Sequence, residues 1–234
     1  MSWDWQVFFQ DTGSGQTYLN WMISAWGWTL LVSGCSLVVA LAFGSLMGIL
    51  RTTPVKAFVW IGNAWTELFR NIPLLVQIFL WYHVIPSMFR SLQAVPDFIA
   101  VVVALGFFTS ARISEQVKAG IQALPRGQRY AGLAMGLTLP QTYRYVLLPM
   151  AFRIVIPPLT SESMNIIKNS SVAFAVSITE LTFFAMQAQE ETSRGVEIYL
   201  AVTFLYFISA FAINRVAAVV EKRVRVPGMI GGGK

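Results

Sequence analysis

The chain has 234 residues, 56% of them hydrophobic and 12% charged, whereas a soluble domain carries about 25% charged and about 45–50% apolar residues, so it reads as an integral membrane protein. A lone cysteine, Cys35, excludes an internal disulfide framework, and together with the single histidine, His83, it excludes a three- or four-ligand zinc site. The net charge of +6 is spread between apolar spans rather than gathered into a phosphate-tracking patch, so nucleic acid is not an expected partner and the charge is read as membrane topology.

Residues 1–21 contain no Lys or Arg; a secretory signal would start with a basic region, so the first span is expected to stay uncleaved behind an N-terminal segment. Residues 22–50 run for 29 positions without a charge, more than the ~20 that cross a bilayer core, with Gly27, Gly34, Gly44 and Gly48 available for close helix packing. Within it, Cys35 reads as a buried small hydrophobe. A second span, 72–89, follows the polar Glu67, Arg70 and Asn71, and Pro73 begins or kinks it. Glu67 and Arg70, three apart, suit a local ion pair, and His83 an interfacial position. Residues 98–111 form a short third span that borrows Ser114 to Gly120 as a partly buried extension. The fourth, about 146–178, holds Arg153, Pro157, Pro158, Glu162 and Lys168, and the fifth is 198–214. No repeat, linker or shift in composition marks a boundary, so an all-α membrane fold of about five transmembrane helices in one domain, 1–234, is expected.

Lys and Arg collect in cytoplasmic loops. Assigning the segments alternately puts Arg51, Lys56 and Arg70 between spans one and two; Arg112, Lys118, Arg126, Arg129, Arg144 and Arg153 between three and four; and Arg215, Lys222, Arg223, Arg225 and Lys234 after five. These are 14 of the 17 basic residues. The other side keeps Arg90 and Arg194 against seven acids: Asp4, Asp11, Asp97, Glu180, Glu190, Glu191 and Glu197. A periplasmic N-terminus (1–21) and a cytoplasmic tail (218–234) follow, and Trp3, Trp5, Trp21, Trp26 and Trp28 suit an outer aromatic belt.

The loop between spans three and four, about 121–145, carries small and apolar residues at helical spacing from Gly127 to Leu137, flanked by Pro125 and Pro140, which suits a short surface helix. Residues 130–149 resemble the signature of bacterial ATP-binding-cassette importer permeases, E-A-A, three residues, G, nine residues, I-x-L-P. Here it is written Tyr130-Ala131-Gly132, Gly136 and Val146-Leu147-Leu148-Pro149, with Tyr130 in place of Glu and Gly132 in place of the second Ala. Three further stretches, Glu67 to Gln77, Glu115 to Gln122 and Asn165 to Ser171, with the closing Glu221 to Gly228, narrow the resemblance to polar amino-acid permeases of the glutamate/aspartate kind. It covers essentially the whole chain.

That resemblance implies a type I importer permease fold and a permease without its own ATP site. It implies as partners a second related permease subunit (a heterodimer), two copies of a cytoplasmic ATPase that bind ATP and Mg, and a periplasmic amino-acid-binding protein. A coupling element over 127–142 would include Gly127, Gln128, Tyr130, Ala131, Gly132 and Gly136, with Pro149 beyond it. Gly228 to Lys234 satisfies G-x-x-x-x-G-K, but the Ser/Thr of a phosphate loop is missing and no strand precedes it, so it reads as tail rather than ATP site. ATP would be hydrolysed by the partner, and no cofactor or metal is expected in this chain.

Charges at bilayer depth cost at least ~2.5 kcal/mol each and are functional candidates by default. Wound at 100° per residue from Thr160, Lys168 falls at about 80°, Ser161 at about 100°, Asn165 at about 140°, Asn169 at about 180° and Glu162 at about 200°. Such a polar arc cannot face lipid. It serves either as a helix-gluing Glu162–Lys168 ion pair or as a substrate site. In the second reading Lys168 meets a carboxylate, Glu162 an ammonium, and an unwound backbone near Asn169, Ser170 and Ser171 adds amide donors. In relatives that carry basic amino acids the position of Asn169 is often Asp, so a neutral residue there is what an acidic side chain would tolerate. The alternative transport class, an ion-coupled secondary amino-acid carrier, would show repeated halves and more intramembrane carboxylates. A membrane enzyme would show a nucleophile, metal or paired-aspartate constellation. The sequence carries neither pattern.

Overall fold

The computed structural model describes residues 3–224. A 3-10 turn, Trp5–Phe9, is capped by Asp4, whose Oδ1 accepts the Gln6 N–H at 3.1 Å. Eight helical elements follow: α1 Tyr18–Leu50, α2 Lys56–Asn71, α3 Leu74–Met88, α4 Asp97–Gln122, α5 Arg126–Ala134, α6 Leu139–Val176, α7 Leu181–Thr192 and α8 Gly195–Val224. Helices α1, α4 and α8 are each long and apolar enough to cross a membrane, and counting the bent pairs α2–α3 and α6–α7 as one span each raises the number to five. The expected five-span, all-helical architecture is therefore met, with shifted limits. The second span is broken, the third runs to Gln122, the fourth starts at Leu139, and the fifth extends through residues expected in the tail. The G-x-x-x-x-G-K stretch, Gly228 to Lys234, lies outside the described residues.

Proline chemistry sets the breaks. Ile72 is extended (φ −92°, ψ 128°) because the ring of Pro73 disfavours the helical region for its predecessor, and α3 starts directly after Pro73. Within α3, Leu80–Val84 widen into a π turn in which the Ile85 N–H reaches back to the Leu80 carbonyl; within α6, Tyr143–Leu147 do the same, the Leu148 N–H donating to Tyr143. Each π turn ends two residues before a proline, Pro86 or Pro149. A proline ring clashes with the carbonyl four residues back and supplies no N–H, and shifting the ladder by one residue accommodates both. Pro157 and Pro158, by contrast, are carried inside an unbroken helical stretch, Leu148–Ser170. Helix α6 then tightens into a 3-10 turn at Ser171–Val176, passes Ser177 in the left-handed region (φ +60°), and bends by 52° into α7.

The described chain falls into two compact units. One takes its described residues from 3–38, Pro73–Gly106 and Met164–Ala212. Its core joins Val7, Phe8, Tyr18, Met22 and Ala25 to Leu181, Phe184, Ala185, Ala188, Ile198 and Val202. Three polar pairs tie its elements together: Trp26 Nε1 donates to Ser209 Oγ at 2.8 Å, Tyr18 Oη to Glu191 at 2.7 Å, and the Leu181 N–H to Thr29 Oγ1 at 3.2 Å. Glu180, counted in the sequence among the acids on the side opposite the basic loops, is fully buried as the N-cap of α7. Its carboxylate accepts the Thr182 and Phe183 N–H groups, both at 2.9 Å, and the Tyr206 hydroxyl at 2.6 Å.

The other unit takes its described residues from Val39–Ile72, Phe107–Ser163 and 213–224. Here α1 and α4 approach closely: a Cβ on Gly44 would lie 2.6 Å from Ile113 Cβ, and one on Gly48 would lie 2.7 Å from Val117 Cβ, so only glycine permits the contact. Gly27 and Gly34, expected to pack likewise, have open space around them. Phe43, Trp65, Phe69 and Phe107 form an aromatic cluster with ring centroids 4.5–5.3 Å apart. Cys35 is half-buried rather than buried.

Candidate functional site

Helix α5 begins after Pro125, whose φ of −56° and ψ of 131° set the entry, and it is closed by Gly136 at φ +83°. There the Leu137 N–H donates to the Gly132 carbonyl at 3.1 Å and the Gly136 N–H to Leu133 at 3.0 Å, a Schellman closure that needs a left-handed residue. One residue later Thr138 opens α6, its N–H donating to Gln141 Oε1 at 2.8 Å. The α5–α6 corner is held by Gly132, where a Cβ would meet Thr142 Cγ2 at 2.8 Å. Tyr143 Oη donates to the Thr52 carbonyl at 2.7 Å, tying the start of α6 to the end of α1. The result is a stiff knuckle. Its outer face offers Tyr130, Met135 (82% exposed) and Leu133, with Ala131 and Gly127 also exposed and Gln128 half-buried. Pro149 sits on α6 just past the π turn, exposed and away from the Schellman closure.

Arg51, 7% exposed, anchors this unit. Its Nε donates to Asn63 Oδ1 at 2.8 Å, Nη1 to Ser114 Oγ at 3.2 Å and Nη2 to Glu115 Oε1 at 2.9 Å. A Cβ on Gly62 would collide with its Cγ at 2.5 Å, so that glycine opens the channel the side chain follows. Arg70 reaches the same Glu115 oxygen at 3.4 Å and pairs with Glu67 at 2.7 Å, the local pair expected three residues apart. Next to this network a cavity of about 390 Å3 is lined by Arg51, Thr52, Gln122, Arg126, Arg129 and Tyr143.

On α6 the polar arc is divided. Ser161 and Lys168 are exposed, Asn165 and Asn169 half-buried, and Ile166 and Ile167, each 1% exposed, pack inward behind them. Asn169 and Ser170 stay α-helical and Ser171 begins the 3-10 turn, so the backbone tightens there instead of unwinding. The hydroxyls of Ser170 and Ser171 donate to the Ile167 and Lys168 carbonyls at 2.7 and 2.8 Å. Glu162 is buried. Its Oε1 accepts from Gln116 Nε2 at 3.1 Å and its Oε2 lies 3.8 Å from Arg112 Nη1.

Sequence reasoning missed Arg112. It was counted as a loop cation, yet it lies fifteen residues into α4. Lys118 is likewise on α4, and Arg144 and Arg153 are on α6, so Arg126 and Arg129 are the basic residues between α4 and α6. The missing signal is phase: Phe108, Arg112 and Gln116 recur every four residues on one face of α4, a pattern that a count of charged residues does not register. Arg51 and Glu180 were missed for a different reason, because their roles depend on partners far away in sequence. Among the described residues no three His, Cys, Asp or Glu side chains gather as a metal-binding group.

Residues 40–226 match the family described as the binding-protein-dependent transport system inner membrane component. The chain belongs to this family. It is 42% identical to the glutamate/aspartate import permease protein GltJ of Escherichia coli, over 99% of both chains. It is 26% identical to the glutamate/aspartate import permease protein GltK of the same species, over 83% of this chain and 89% of that one. The crystal structure of an amino acid ABC transporter with histidines superposes with a TM-score of 0.77 at 28% identity, covering 88% of this chain and 95% of that one. The expected type I importer permease fold is thereby met. Two features of the chain stand out beside that fold: the α5 knuckle, rigid and surface-exposed, and the face of α6 that carries Ser161, Asn165, Lys168 and Asn169, polar where lipid would demand apolar groups.

Proposed function

We propose that this inner-membrane component acts as one permease subunit of an ATP-driven importer that carries glutamate and aspartate into the cytoplasm. The observation that carries the substrate class is the 42% identity, end to end, with a glutamate/aspartate import permease. The polar face of α6 supports a translocation role. Lys168 and Ser161 are exposed at the subunit surface while Ile166 and Ile167 are buried, the reverse of what lipid would select, so this face meets a second subunit or a watery path. A related but different permease, of the GltK kind, completes the channel as a heterodimer. Glu162, Asn165, Lys168, Asn169, Ser170 and Ser171 contribute the substrate path, and the whole chain acts as a single permease domain.

ATP and Mg are bound by two copies of a cytoplasmic ATPase, which seats the exposed face of α5 in a groove and transmits its closure through Gly136, Thr138 and Tyr143 into α6. The substrate arrives from a periplasmic binding protein. Alternating access is then a two-state rocking of packed helices biased by ATP binding in the partner. The N-terminus is periplasmic and the C-terminus cytoplasmic, an orientation that the charges near α5 and the end of α8 support.

Reconstitution of the chain with its partner permease, ATPase and binding protein in proteoliposomes tests this. ATP-dependent uptake of radiolabelled glutamate and aspartate is expected, abolished by an ATPase-inactive partner and unaffected by dissipating the proton gradient. Uptake that survives the inactive ATPase but collapses with the gradient would establish the ion-coupled carrier instead.

A further inference from the structure

The Arg112–Gln116–Glu162 cluster is polar, lies on helices counted among the candidate spans, and is incompletely satisfied. Arg112 lies on α4 about 22 Å along the helix from Asp97, at 1.5 Å per residue, well inside a segment apolar enough to span. Its guanidinium rests on the Phe108 ring at 4.9 Å, and its side chain is 43% exposed. The nearest carboxylate oxygen, Glu162 Oε2, is 3.8 Å away, beyond hydrogen-bonding reach. Glu162 Oε2 and Gln116 Oε1 are both inaccessible and accept no hydrogen bond among the described residues. Two buried acceptors without donors therefore stand beside a guanidinium that has donors to spare. A helix-gluing ion pair would close this mismatch by shortening to a bidentate contact; here it stays open.

We infer that Arg112, Gln116 and Glu162 form the receptor for the acidic amino acid: Arg112 takes a carboxylate and swings aside with it, and Glu162 Oε2 with Gln116 Oε1, enclosed in this resting arrangement, then take the α-ammonium. This rests on the substrate class proposed above and adds two residues to it. The chemistry matches group for group. A guanidinium presents parallel N–H donors to a carboxylate, the Phe108 face holds its plane, and an ammonium carries the three N–H donors that the two orphaned acceptors lack. Without substrate, Arg112 and Glu162 act as each other's loose counter-ions, which keeps the site neutral inside the membrane. An acidic amino acid, with two carboxylates and one ammonium, separates them by offering each a better partner. A basic amino acid would bring a second cation to Arg112 and is rejected.

The test uses the complete transporter in proteoliposomes with saturating binding protein and ATP, comparing wild type with Arg112→Gln, Arg112→Lys, Glu162→Gln and the double variant Arg112→Gln/Glu162→Gln. Glutamate uptake is expected to fall about tenfold or more in Arg112→Gln. The double variant, although charge-balanced again, should stay as low. Arg112→Lys, which keeps the charge and loses the fork, should retain partial uptake with a raised half-saturating concentration. Recovery of the double variant to within twofold of wild type would assign the pair to folding and overturn the inference, as would Arg112→Gln uptake within twofold of wild type. Should both neutral variants fail to assemble, Arg112→Lys decides: an unchanged half-saturating concentration overturns the inference. A wild-type complex that takes up neither glutamate nor aspartate would sink the substrate reading itself, a separate outcome.

Discussion

Asn169 lies half-buried on the polar face of α6, where a carboxylate would stand near the substrate's own. At 4 Å and an effective dielectric of 20 the repulsion is roughly 4 kcal/mol, less where water enters. Asn169→Asp is therefore expected to lower glutamate uptake in the reconstituted complex at least about tenfold, or ~1.4 kcal/mol, while Asn169→Gln, which keeps the amide, retains most of it. Equal loss in both variants would mark the position as packing. Arg51 makes a different kind of contribution. Its removal leaves Ser114 and Asn63 short of a donor and Glu115 with Arg70 alone, at 3.4 Å. Breaking a buried pair costs about 3–5 kcal/mol, but Glu115 is 38% exposed, so about 2 kcal/mol is expected for Arg51→Met. Thermal unfolding of the purified complex should show a clear loss, smaller for Arg51→Lys.

At the scale of an element, the α5 knuckle is rigid because three local devices coincide: the Schellman turn at Gly136, the Thr138–Gln141 cap and the Gly132–Thr142 contact. Space around Gly136 is open, so its requirement is conformational rather than steric, φ +83° being costly for a β-branched residue and tolerable for Asn. Gly136→Val is expected to retain membrane abundance but lose most binding-protein-stimulated ATP hydrolysis, by about fivefold or more, since a tilted α5 no longer seats in the ATPase. Gly136→Asn should keep it. Normal stimulation in the Val variant would remove α5 from the coupling interface.

For the whole molecule, the proposed orientation rests on the cations that remain near helix ends once Arg112, Lys118, Arg144 and Arg153 are recognised as lying on α4 and α6. Arg126 and Arg129 in the short α5, with Lys222 and Arg223 at the end of α8, still outweigh Arg90 and Arg194. In a Cys35→Ala background, a membrane-impermeant thiol probe should label a cysteine at Ser14 in intact cells and label one at Gln128 only after permeabilisation. Labelling of position 128 from outside would invert the topology.

The sequence by itself determined the class of the molecule, because 29 consecutive residues without a charge have no stable place in water. It also determined the short helix α5 and its closure, since Gly136 and Thr138 act through bonds spanning five residues or fewer, and such local chemistry is written in spacing. The break at Pro73 belongs with these. What tertiary structure decided was the pairing of charges. Glu162 was matched in sequence with Lys168 because both lie on α6, but burial of its carboxylate is set by α4, which brings Arg112 and Gln116 to it from 46 to 50 residues away in the chain. Glu180 likewise reads as one of the acids opposite the basic loops until α7 and Tyr206 enclose it. Inside a membrane a charge is stabilised by whichever helix faces it, and helix adjacency is a property of the packed bundle that no periodicity along one helix encodes.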